Sequence, residues 1–98
     1  MFLAGRLSKF VGDLLYDLLL DDEAADAFSD LSKELQRRSY SKLSAAKENP
    51  HHYFERLRGR TDFKMRVGPY RVIADIDDYF KRIEVTLIGH RKNVYEKR

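Results

Sequence analysis

Apolar residues recur at helical intervals through the first half of the chain and alternate through the second, with the change at Pro50. Ala24, Ala27, Phe28, Leu31 and Leu35 are three or four positions apart, which predicts one buried stripe on a helix. Asp21 or Asp22 can cap its start by accepting from free backbone N–H groups, and Glu23 complements the helix dipole. The stripe weakens around Arg37 to Ser39, resumes at Tyr40, Leu43 and Ala46 or Lys47, and stops at Asn49-Pro50. Two antiparallel helices, or one bent helix, are expected over this stretch. Tyr16 to Leu20 reads as a first strand or as the end of an N-terminal helix, and periodicity does not separate the two. Before it, apolar positions 3, 7, 10, 11 and 14 predict a short amphipathic helix lying on the domain or on a partner.

Beyond Pro50, Phe63, Met65 and Val67 alternate with Lys64 and Arg66, and Gly68-Pro69 marks a turn. Tyr70, Val72, Ala74 and Ile76 then alternate with Arg71, Ile73 and Asp75. Asp77-Asp78 opens a second turn, and Ile83, Val85 and Leu87 alternate with Glu84, Thr86 and Ile88 in a strand that ends at Gly89. Two tight connections in succession imply an antiparallel meander, whose apolar face the amphipathic helices must cover. The expected fold class is therefore α+β, an antiparallel sheet packed against two N-terminal helices. At 98 residues the chain has room for a single domain, with 1–15 as an N-terminal extension and 16–98 as the folded unit.

Composition narrows the function classes. A hydrophobic fraction of 43% and a charged fraction of 36% suit a folded soluble domain rather than a disordered chain. Without cysteine, neither a disulfide framework nor a thiolate metal site is available, and cytoplasmic residence is permitted. His51 and His52, expected in a solvated loop, and His90 lack the spacing of a zinc motif. Arg6, Lys9, Asp13 and Asp17 interrupt the apolar N-terminus, so neither a signal peptide nor a membrane span is expected. The net charge of +3 conceals an asymmetry. Residues 1–55 hold seven Lys/Arg against ten Asp/Glu, whereas residues 56–98 hold twelve against six. A positive half of this kind favours a polyanion such as nucleic acid.

The cations of that half fall on strands. Lys64 and Arg66 share one face, and Arg71 begins the next strand, so antiparallel pairing across the turn brings it near Arg66. Like charges side by side repel, and crowding them on a face expected to bury nothing points to an anionic ligand. The last strand delivers Gly89-His90-Arg91-Lys92, with Tyr95 four residues after Arg91. Gly89 can bend the strand and re-aim the residues after it, and a neutral His90 imidazole can serve as a base. No glycine-rich phosphate loop and no Ser/His/Asp pattern of recognisable spacing is present, and the carboxylates are spread without a metal-binding cluster. Metal-free RNA cleavage fits the residues that remain. A ribose 2′-hydroxyl attacks the adjacent phosphodiester when one group takes its proton, another stabilises charge on phosphorus and a third protonates the departing 5′ oxygen.

Several segments in order carry a resemblance: Tyr16-Asp17-Leu18-Leu19-Leu20-Asp21-Asp22-Glu23-Ala24, Lys47-Glu48-Asn49-Pro50, Leu57-Arg58-Gly59, Phe63 to Ile73, and Ile88-Gly89-His90-Arg91-Lys92-Asn93-Val94-Tyr95. Over Tyr16 to Glu96 the chain resembles the RelE/ParE toxin superfamily, in particular its RelE-like branch of mRNA interferases. The resemblance implies a RelE-like microbial RNase fold, a strand at Tyr16 to Leu20, and a cytoplasmic toxin of a type II toxin-antitoxin system. Such a toxin cleaves messenger RNA on the ribosome without metal or cofactor, and a RelB-like antitoxin restrains it. Operator DNA would be met only through the antitoxin complex. By the same resemblance Lys64 is a catalytic lysine, Arg71 and Arg91 stabilise the phosphorane and leaving group, and Tyr95 stacks on a base or moves a proton. Arg58, Arg60, Arg66 and Lys92 would hold RNA. Toxins of this type often carry two alternating lysines where this chain has Lys64 and Arg66, and arginine is a poor base, so the base lies between Lys64 and His90. Two alternatives stay open: a ParE-like inhibitor of DNA gyrase, and an inactive relative that only binds antitoxin and operator.

Overall fold

The structure, a computed structural model, describes residues 15–94, so the amphipathic helix expected over positions 3 to 14 lies outside it. The ambiguous apolar run forms a strand, β1 (Asp17–Leu20). Asp21 ends the strand and caps α1 (Asp22–Ser29), its carboxylate accepting from the Ala24 N–H at 3.0 Å. The stripe from Ala24 to Leu35 does not belong to one helix. Ser32 captures the Leu35 N–H at 3.2 Å and starts α2 (Lys33–Ala46). Gln36 reaches back, its amide donating to the Phe28 and Ser29 carbonyls at 3.1 and 3.2 Å, which satisfies acceptors left open at the end of α1. The break thus falls before α2, and Arg37 to Ser39, where the pattern weakens, lie inside a continuous helix. Pro50 opens another turn, α3 (Pro50–Tyr53), at a position where its missing N–H costs nothing. His51 and His52 therefore sit on a short helix rather than in a loop.

The remaining elements are β2 (Glu55–Arg56), β3 (Phe63–Val67), β4 (Tyr70–Asp77), β5 (Arg82–His90) and α4 (Arg91–Val94). The sheet order is β1-β5-β4-β3-β2. Strands β2 to β5 pair antiparallel, as the two tight turns require, and the fold is α+β. Beyond the meander, β1 joins β5 in parallel. Parallel neighbours need a long connection, and here the helices and most of the meander supply it. The helices lie over one face of the sheet. Ala24, Leu43 and Ala46 pack with Met65, Val67, Val72, Ala74, Ile83 and Val85 in one cluster.

One irregularity changes which side chains face that cluster. Ile73 pairs with Leu87 but Ala74 pairs with Val85, so Thr86 is an extra residue in β5, its hydroxyl 3.4 Å from the Ile73 carbonyl it donates to. A bulge of this kind reverses the alternation beyond it. Ile88, expected on the outer face, is buried in the main cluster, and Leu87, expected inside, lies on the outer face against Ile73 and Leu57. The outer face therefore does bury residues, since Ile73 is 1% and Leu87 7% exposed.

The end of the sheet opposite the β3–β4 turn is tied by a polar cluster. The Tyr16 hydroxyl donates to Asp78 at 2.7 Å, and His51 Nε2 lies 2.9 Å from the same carboxylate oxygen. The hydrogen bond to Asp78, aided by burial and by that negative charge, pushes the Tyr16 phenol up to about 12. The same bond, and the one from His51, hold the Asp78 carboxyl below its ordinary value.

This packing sets two expected outcomes. Leu43, 2% exposed at the centre of the helix layer, fixes α2 to the sheet, and Leu43→Ala is expected to cost about 2–5 kcal/mol in urea unfolding. Tyr16→Phe is expected to cost about 1 kcal/mol near neutrality, the modest figure reflecting the exposure of Asp78. Because the folded phenol titrates above its ordinary 10.0, its contribution is full below pH 10 and is lost as pH rises toward about 12. Because Asp78 titrates below its ordinary 3.8, the contribution is also lost as acid takes pH down through its folded value. Unfolding of both proteins across pH should show the wild-type advantage shrinking at each end.

Candidate nucleic-acid interface at the β3–β4 turn

Gly68 and Pro69 connect β3 to β4 with Val67 opposite Tyr70. Gly68 has φ +57°, which costs glycine nothing, and Pro69 supplies a fixed negative φ after it; a positive φ at the first of two central residues twists the hairpin with its strands. That register sets Arg66 directly opposite Arg71 and Arg71 opposite Gly89. Gly89 offers no side chain there, leaving room across the ladder from Arg71. Arg71 turns back over the hairpin, its Nη1 donating to the Gly68 and Tyr70 carbonyls at 3.2 and 3.0 Å. Arg91 begins α4 beside the same turn, where its backbone N–H donates to the Pro69 carbonyl at 2.8 Å. Its side chain and that of Lys92 are exposed. Lys64 stands on the Arg66 side of β3, opposite Glu55 and Ile73. None of Arg66, Arg71 and Arg91 forms an ion pair among the described residues.

The other residues singled out by the sequence lie elsewhere. His90 is paired with Tyr70, their rings 5.6 Å apart, so it shares the helix-facing side of the sheet and not the side of Lys64, Arg66 and Arg71. Its Nδ1 accepts from the Lys92 N–H at 3.3 Å. The Thr86 bulge is the cause, because uninterrupted alternation would have turned His90 to the cationic face. Arg58 and Arg60 occupy the β2–β3 connection at the far end of β3, roughly 13 Å along the strand from the β3–β4 turn. There the Arg60 guanidinium is engaged by Asp62 in a two-point contact at 2.8 and 2.5 Å, which raises its pKa further. Tyr95 lies outside the described residues.

The structure also brings in two cations that the sequence pattern does not single out. Arg38 and Lys42, one turn apart on α2, reach the hairpin from the helix side. Lys42 Nζ donates to the Arg66 carbonyl at 2.6 Å. The Arg38 guanidinium nitrogens lie 3.4 and 3.5 Å from where a side chain on Gly68 would begin. Their spacing of four was a signal, but only tertiary packing says which side of α2 meets the turn.

The comparisons with known proteins agree with this architecture. No curated protein matches the chain in sequence. Among solved structures, the toxin-antitoxin complex RelBE2 from Mycobacterium tuberculosis matches with a TM-score of 0.71 at 20% identity, covering 79% of this chain and 99% of that one. The archaeal RelE-RelB complex from Pyrococcus horikoshii matches at 0.70 and 21%, covering 79% and 96%. The isolated E. coli RelE toxin matches at 0.68 and 24%, covering 84% and 93%. These likenesses define a RelE-type α+β fold. The family described as ParE toxin of type II toxin-antitoxin system, parDE, matches residues 18–95. The chain belongs to that family, within the RelE/ParE superfamily, and is a type II toxin-antitoxin toxin.

Gly68 couples backbone conformation to the cationic cluster, which can be measured. Gly68→Ala is expected to cost about 1–2 kcal/mol through the backbone alone, since the added carbon would meet Arg38 at an ordinary contact distance. Gly68→Val should cost more than Gly59→Val, because Gly59, with φ +71°, faces open space while Gly68 is covered by Arg38. Denaturant titration of these variants beside the wild type reads the difference.

Proposed function

We propose that this toxin is a metal-free endoribonuclease that cuts messenger RNA on the ribosome. The observation carrying the reading is the convergence of Arg66, Arg71 and Arg91 on one turn without ion-pair partners among the described residues. Like charges held this close by the strand register are stabilised by an anion, and the phosphodiester supplies one. In the proposed reaction a ribose 2′-oxygen bonds to the adjacent phosphorus as its proton leaves. The bond from phosphorus to the 5′ oxygen breaks, leaving a 2′,3′-cyclic phosphate and, once that oxygen is protonated, a 5′-hydroxyl. Arg71 and Arg91 stabilise the charge that builds on phosphorus and on the leaving oxygen. Arg66 and Lys92 hold flanking phosphates. Lys64 shares the face of Arg66 and Arg71, which supports it over His90 as the group that moves the first proton. Tyr95 keeps the stacking or proton-transfer role that the family resemblance implies. Arg58 stays a candidate RNA contact at the far end of β3, whereas the engagement of Arg60 by Asp62 argues against its binding RNA.

The proposed restraint is a RelB-like antitoxin, supported by the RelB-bound state of the two matching complexes. Operator DNA is reached through that complex, and the site of action is the cytoplasm. Neutralisation has an electrostatic part, so binding should weaken with salt. A second reading, inhibition of DNA gyrase, is favoured by the description of the matching family as parDE toxins.

Induced expression of wild type beside Arg71→Ala and Arg91→Ala tests both. The expected result is discrete cleavage within translated messages by primer extension, reduced at least 100-fold in either folded variant, the scale of losing one transition-state donor of about 2.7–4 kcal/mol. Intact messages with inhibited supercoiling would establish the gyrase reading, and neither effect would leave only antitoxin binding.

A further inference from the structure

The cations around Gly68 lie on both sides of the sheet, although a scissile phosphate needs only those on one. On the outer side Arg71 Nη1 donates to the Gly68 carbonyl at 3.2 Å. On the helix side Arg38 covers the same glycine. Its Nη1, Nη2 and Cζ lie 3.4, 3.5 and 3.7 Å from the position a Cβ would take, so the terminal nitrogens are the atoms nearest the turn. A guanidinium carries five N–H donors, and Arg38 makes no hydrogen bond or ion pair among the described residues. It is also exposed. Lys42, one helical turn on, donates to the Arg66 carbonyl at 2.6 Å and fixes the distance between α2 and β3. Two guanidinium groups are thereby held against one glycine of a two-residue turn, with Arg66 adjacent.

This arrangement works against Coulomb repulsion. Four cationic side chains, Arg38, Lys42, Arg66 and Arg71, gather at the hairpin, where Lys42 and Arg71 bond backbone carbonyls and none of the four forms an ion pair among the described residues. We infer that Arg38 clamps a second phosphate of a single RNA strand, one that flanks the cut and passes over the edge of the hairpin toward the helix side. The clamp deepens the ribonuclease reading and rests on it for its substrate class. Arg38 supplies the guanidinium on the helix side and Gly68 the bare surface that lets it approach, while Arg71 serves the scissile phosphate on the outer side. Lys42 is a positioning residue. It holds α2 so that the Arg38 guanidinium stays on the strand's path.

The test uses the full chain and an uncleavable probe, a fluorescent single-stranded oligoribonucleotide with every 2′-oxygen methylated. Anisotropy titrations over a salt series give the slope of log affinity against log salt, to which each neutralised phosphate of a single strand adds about 0.7. Arg38→Gln is expected to lower the slope by about 0.7, and Arg38→Lys, which keeps the charge, to preserve most of it. Thermal melting verifies that both variants fold, as expected for an exposed position. An unchanged slope in Arg38→Gln, or a wild type that does not bind the probe, overturns the clamp. So does an Arg38 dependence confined to duplex RNA or to a polyglutamate peptide, the latter assigning Arg38 to an acidic protein partner. Message cleavage is measured alongside. Wild type that cuts messages while Arg38→Gln keeps the full slope removes the clamp and leaves the ribonuclease reading standing. An Arg38-dependent slope without message cleavage removes the ribonuclease reading and leaves a phosphate clamp.

Discussion

The register of the β3–β4–β5 meander is the constraint on which the rest of the molecule depends. Side chains on a strand alternate, so each pairing decides both the neighbour and the face of every residue in it. Pairing Val67 with Tyr70 brings Arg66 against Arg71, and pairing Arg71 with Gly89 clears space beside them. The same ladder sends Met65, Val72 and Val85 into the helix layer. Core and cationic surface are thus two faces of one set of hydrogen bonds, and a slip of one residue would exchange them.

The Thr86 bulge is the single departure from regular pairing between β4 and β5, and it falls between the two halves of the protein's work. Before it, β5 serves the core through Ile83 and Val85. After it, Ile88 continues that service while Leu87 turns outward to close a small cluster with Ile73 and Leu57. That outer cluster gives the cationic face an apolar floor, which favours precise placement of Lys64 and Arg71 beside it. The bulge also takes His90 to the Tyr70 side, separating an imidazole from the face that carries the cations.

Charge is divided along the sheet in a comparable way. At the β4–β5 end, Asp78 is bound by Tyr16 and His51, and at the β2–β3 end Asp62 is bound by Arg60. Carboxylates at these ends are engaged with structural partners. Around the β3–β4 turn Lys42 and Arg71 bond backbone carbonyls instead, and the cations there have no ion-pair partner among the described residues, an arrangement that favours a positive local potential. The +3 net charge of the chain therefore understates the field at the turn.

Much of this was legible in the amino-acid order. The change of period at Pro50, the Gly68-Pro69 turn and the Asp21 cap follow from local rules, in which each residue type restricts its own backbone or that of its neighbours. The α+β class and the nearness of Arg66 to Arg71 follow from those signals together. The features outside their reach depend on partners distant in sequence. The break before α2 is secured by Ser32 and by Gln36 reaching back over eight residues to Phe28. The parallel placement of β1 needs β5, more than sixty residues later. The apolar pair Leu87-Ile88 is compatible with either face, and only the β4 ladder decides that Thr86 is the residue left over. Arg38 and Lys42 are singled out by no sequence pattern, and only the docking of α2 on β3 brings them to the turn. The sequence by itself determined the elements and the cationic strands; the tertiary structure decided which faces they present, because facing is set by long-range pairing that no local pattern encodes.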